Sequence, residues 1–127
     1  MQEQQLFEYA VIRIVPQVER EEFINVGVVL YCKKSGFLKA VFELDENRLS
    51  AFSAALDLAV IRQNLAAFEQ ICLGGKKSGP IGILDTASRF RWLTATRSTV
   101  LQTSKVHPGF CFDPEKTLFR LHKELVL

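Results

Sequence analysis

The 127-residue chain sets sixteen Lys and Arg against fourteen Asp and Glu, and 48% of it is apolar, with ten phenylalanines. Such a length and composition fit one globular domain with a real hydrophobic core and exclude a disordered chain. The net charge of +2 creates no global field that demands nucleic acid or a membrane surface, and no run of 18 apolar residues is present to span a bilayer. The opening segment MQEQQLFE lacks the basic and apolar regions of a signal peptide, so a cytoplasmic protein is expected.

Residues 7–15, FEYAVIRIV, alternate as a strand, with Tyr9, Val11 and Arg13 on one face and Ala10, Ile12 and Ile14 on the other. Pro16 ends it, and the acidic stretch 17–25 reads as a loop or a short helical turn. NVGVVLYC at 25–32 is a second strand, apolar on both faces and therefore central, with Gly27 marking a bulge or a close backbone approach. A turn at 33–36 leads to a third strand over 37–44, in a hairpin with the second. A short helix follows within 45–56, capped by Asp45 or Asn47. Asp57 caps a second helix over 58–72, in which Leu58, Ile61, Leu65, Phe68 and Cys72 recur every three or four residues until Gly74 stops it.

Residues 74–88 read as a flexible connection. GGKKSG there lacks the spacing of a phosphate-binding loop and follows a helix rather than a strand. RFRWL at 89–93 fits a strand or a short helical turn; as a strand it would turn Phe90 and Trp92 into the core and Arg89 and Arg91 outward. TVLQTS at 99–104 is a strand, and 106–111 a loop that presents His107. Asp113 followed by Pro114 starts a final helix, with Leu118, Leu121 and Leu125 inward and His122 at the surface or half-buried. The expected fold class is α+β, an antiparallel sheet of four to five strands with helices packed mainly on one face.

Charge is unevenly spread. Residues 1–31 are net acidic, whereas 58–107 are net basic and include Arg89, Arg91, Arg97 and Lys105 close to Phe90 and Trp92. Phosphate contacts with base stacking are one use of such a segment. Arg13, a cation inside an apolar strand, needs a partner, and Glu21 or Glu22 across the loop would supply one. Glu22 beside Asn25 also has the makings of a general acid or base. Ser98 or Thr99 with His107 bracket a predicted strand, which would hold them about 25 Å apart and argues against a nucleophilic dyad. Cys32, Cys72 and Cys111 each have apolar neighbours and form no CxxC pair, so they read as reduced core residues. No motif points to a metal or other cofactor, and no catalytic residue is assigned.

YAVIRIVPQVEREEFINVGVVLYC at 9–32, RFRWLTATRSTVLQTSKVHPG at 89–109 and DPEKTLFRLHKELV at 113–126 resemble the bacterial DUF3037 family over nearly the whole chain, with little contribution from 45–84. The residues that match the family's polar pattern are Arg13, Pro16, Glu22, Asn25, Gly27, Arg97, Ser98, Gln102 and His107. The resemblance implies a small bacterial cytoplasmic protein, in some members encoded beside a HipA-like kinase, and carries no reaction with it. Arg13, Glu22, Asn25, Arg97, Ser98, Gln102 and His107 are accordingly the candidate ligand-binding set. An interaction or accessory domain for a partner protein ranks first among the functions, with a homodimer left open. A nucleic-acid or nucleotide-binding module ranks second, and a small enzyme on a phosphorylated substrate third.

Overall fold

The computed structural model describes residues 3–97 and 99–127. Its framework is β1, Gln5–Ile14, which pairs with β2, Ile24–Cys32, on one side. On the other side it pairs with β4, Leu101–Thr103, and β5, His107–Cys111. β3, Phe37–Phe42, closes the far edge in a hairpin with β2, and every pairing is antiparallel. β4 and β5 are two halves of one edge strand, laid along opposite ends of β1. Buried Ser104 joins them: its N–H donates to the Val11 carbonyl at 2.8 Å, and its Oγ accepts from the Val11 N–H at 2.8 Å.

The helices are α1, Glu46–Phe52; α2, Leu58–Leu73; α3, Gly79–Gly82; α4, Thr86–Leu93; and α5, Pro114–Leu125. The side chains of Asp45, Asp57, Asp85 and Asp113 accept from backbone N–H groups in the first turns of α1, α2, α4 and α5. Gly74 stops α2 at φ +77, where a side chain would be strained. Ala10, Ile12, Ile14, Val29 and Tyr31 form the main core with Leu49 of α1, Ile61, Leu65 and Phe68 of α2, and Phe90 and Leu93 of α4. On the opposite face, Phe7, Val28, Leu30 and Cys32 meet Leu118 and Leu121 of α5. This is the expected α+β fold: the helices lie mainly on one face, and α5 alone packs on the other.

Four local expectations are corrected. RFRWL takes the helical of its two expected forms, within α4, so Phe90 and Leu93 share the inner face by i, i+3 spacing, and Trp92, expected in the core, is 40% exposed. Residues 74–88, read as a flexible connection, contain a 3-10 turn at Lys76–Ser78, α3 and the start of α4. His107 lies in strand β5, which tolerates Pro108 because it is an edge strand. His122 is 7% exposed, held inward between α5 and the sheet.

Gly27 does both things expected of it. The β1–β2 register slips by one residue beside it, with Ile12 opposite Gly27 but Arg13 opposite Asn25, so Val26 is the extra residue of a bulge. A Cβ on Gly27 would lie 2.5 Å from the Val41 carbonyl oxygen and 2.7 Å from Phe42 Cβ. Because those atoms belong to the paired β3, Gly27→Val is expected to lower stability by about 1–3 kcal/mol in urea denaturation. A midpoint unchanged from wild type would show that β2 and β3 are not so tightly joined.

Candidate functional site

The bulge at Val26 decides which polar groups meet. After it, Asn25 of β2 and Gln102 of β4 both lie directly opposite Arg13 of β1. Cross-strand partners project to the same face, so the three side chains form one row. Asn25 Nδ2 donates to the Leu125 carbonyl in the last turn of α5 at 3.2 Å. Gln102 Nε2 donates to the Thr99 carbonyl at 2.7 Å and fixes the turn before β4. The Arg13 guanidinium lies 3.9 Å over the Phe23 ring, which replaces the expected ion pair with Glu21 or Glu22. Burial lowers the Arg13 pKa from its ordinary value.

Three buried polar atoms at this end of the molecule have no hydrogen-bond partner: Arg13 Nε, Asn25 Oδ1 and His122 Nδ1. A cleft of about 300 Å³ opens beside Asn25, lined also by Glu43, Asp45, Arg48 and Val126 among others. Arg48 Nη1 donates to the Val126 carbonyl at 3.1 Å, so Asn25 and Arg48 together hold the carbonyl end of α5 against the sheet. The groups available here are an amide, a guanidinium and the Glu43 and Asp45 carboxylates, gathered at a helix C-terminus.

The remaining candidates lie elsewhere. Glu22 is exposed and ion-paired with Arg20. The His107 ring lies against that of Tyr9, its cross-strand partner, with centroids 5.4 Å apart and the planes tilted by 36°. It shares the face of Arg13 but lies four residues along β1, about 13 Å away. Arg97 places its guanidinium 4.0 Å over the Trp92 ring and donates to the Trp92 carbonyl. Ser98 lies outside the described residues.

The basic segment is largely engaged within the fold. Arg89 donates to the carbonyls of Ile71 at 2.8 Å, Cys72 at 2.7 Å and Leu84 at 3.1 Å, capping α2 from α4. Arg91 grips Glu8 with two bonds of 2.7 and 2.8 Å, which raises its pKa above the ordinary value. Arg97 occupies the Trp92 face that a base would need.

Sequence reasoning missed an apolar surface on the other face of β5. Phe110 is 65% exposed and sits opposite Leu6 of β1, itself 53% exposed. A groove of about 640 Å³ adjoins Leu6, walled by Tyr31, Ala87 and Arg91. The alternation of Phe110 and Phe112 was the available signal, hidden by the turn-like His107-Pro108-Gly109.

The cysteines are packed. All three are free and buried, and burial pushes the Cys72 thiol up to about 12 and raises that of Cys111. Among the described residues, no three His, Cys, Asp or Glu side chains gather to hold a metal, and no helix is long and apolar enough to cross a membrane. A family model described as protein of unknown function (DUF3037) matches residues 9–126. The chain belongs to the DUF3037 family. Comparison with curated proteins and with solved structures gave no match. In this DUF3037 chain the matched region takes in all seven candidate positions, together with the α5 end that Asn25 touches.

Burial lowers the His122 pKa, partly offset by Glu43. The unfolded chain then takes up a proton at a pH where the folded chain does not, so acid favours unfolding. Stability is expected to fall as pH drops below about 6.5, the ordinary histidine value, and His122→Asn to flatten that slope. Equal slopes in urea titrations of the two proteins would remove His122 from the acid response.

Proposed function

We propose that this protein is an interaction domain that docks another protein chain on the outer edge of β5. The observation that carries the reading is an unpaired edge strand bearing Phe110, 65% exposed, next to Leu6 at 53%. Among the described residues, β5 has β1 as its one strand neighbour. Exposed apolar side chains on a sheet edge are a liability unless another chain covers them. An extended segment added there gains main-chain hydrogen bonds, with the apolar side chains setting specificity.

The nucleic-acid reading has less support, because Arg89, Arg91 and Arg97 are already committed to carbonyls, to Glu8 and to Trp92. An enzyme reading would need Asn25 or Glu22 to share a cleft with Arg97 and His107. The clefts beside Asn25 and Glu22 are lined by neither of those two residues.

Photo-cross-linking in the native host tests the docking edge. A photoreactive phenylalanine analogue replacing Phe110 is expected to give a discrete protein adduct, and the same analogue at Leu73, exposed on α2, to give none. No adduct from position 110, or equal adducts from both, would overturn the reading.

A further inference from the structure

The hydrogen-bond phase of β1 fixes which groups β5 presents outward. Ser104 N–H donates to the Val11 carbonyl and Val15 N–H to the Val100 carbonyl. Odd-numbered residues of β1 therefore direct their backbone groups toward the β4–β5 side. Gln5, Phe7 and Tyr9 accordingly bond Cys111, Gly109 and His107. Pro108 falls in the alternate positions, where its missing N–H costs the β1 ladder nothing. The outward groups are then the Pro108 carbonyl and both the N–H and the carbonyl of Phe110.

That edge is self-complementary about Phe110. Resting on the reading of β5 as a docking edge, we propose that its occupant is a second copy of this chain, with the two β5 strands antiparallel and Phe110 on the two-fold axis. Each Phe110 then donates to and accepts from its twin. In this register Pro108 faces residue 112 of the second copy, whose carbonyl would have needed the missing donor. Gln5 Nε2 already bonds the Phe112 carbonyl at 3.5 Å, so that acceptor is supplied from within its own chain. Any register that sets Phe110 against Pro108 instead leaves a Phe110 carbonyl without a donor.

Side chains and charge agree with the same axis. Leu6 and Phe110 are cross-strand neighbours, so pairing at Phe110 makes one apolar row of Leu6 and Phe110 from one copy and Phe110 and Leu6 from the other. Glu8, two residues along β1 from Leu6 on that face, is neutralised by Arg91 with two bonds. The result is one continuous ten-stranded sheet in which each copy covers the other's open edge.

Sedimentation of the purified protein tests this. Wild type is expected to pass from the 14.4 kDa monomer to twice that mass over about a hundredfold rise in concentration. Phe110→Glu and Phe110→Lys should each remain monomeric with the melting curve of the dilute, monomeric wild type, and mixing the two should restore the dimer because opposite charges then meet at the axis. A wild type that stays monomeric overturns the proposal. So does a dimer that survives both substitutions, or a mixture that fails to re-associate. A monomeric wild type whose position 110 still cross-links another protein in cells would leave the docking edge standing and remove only the second copy.

Discussion

The ten-residue strand β1 is the constraint on which the rest depends. It alone joins the β2–β3 hairpin to the broken edge strand β4–β5. Its alternation sends Ala10, Ile12 and Ile14 into the larger core, and Phe7, Tyr9 and Arg13 to the face where α5 lies. A slip of one residue would exchange the two sets and bury Arg13 among the helices, which makes the register steeply determined. The bulge at Val26 lets β2 keep apolar residues inward on both sides of it while bringing Asn25 opposite Arg13.

From that register follow two separate surfaces, one polar and one apolar. The polar row is tied to structure: Asn25 and Arg48 bind carbonyls at the end of α5, and Gln102 binds the turn before β4. These bonds anchor the helix that covers the second core. The apolar surface at Leu6 and Phe110 is tied to nothing within the described chain. The proposed docking reading rests on this division, in which polar residues anchor the fold and aromatic surface is left uncovered.

The elements legible in the sequence were those with long periods or strong caps. α2 carries its stripe over four turns, α5 begins with Asp113-Pro114, and β1 alternates through nine residues. RFRWL was too short for periodicity to separate a period of two from one of 3.6, and its deciding signal lay upstream in the Asp85 cap. β5 was hidden because proline and glycine mark turns in most settings and an edge strand is the exception. Within the candidate set, the meeting of Arg13, Asn25 and Gln102 depends on a bulge and on partners nearly ninety residues apart in the chain, which no local pattern encodes. Arg13 lies over the Phe23 ring, while Glu22 is ion-paired with Arg20.

The two edges of the sheet are finished differently, and that difference bears on function. β3 places Lys39 at mid-strand, where it pairs with Glu115 at 2.7 Å and lies 5.3 Å over Phe119, so α5 flanks this edge with charge and ring. A lysine held so is a common guard against edge-to-edge pairing. β4 offers polar Gln102 and Thr103 over three residues, too little strand to recruit another chain. β5 has neither guard. Its proline removes a donor at one position only, and it bears a phenylalanine 65% exposed, flanked by a small, uncharged pair, Gly109 and Cys111. Sheets that stay single tend to protect both edges, and the contrast between a guarded β3 and an exposed β5 is what the proposed pairing at β5 rests on.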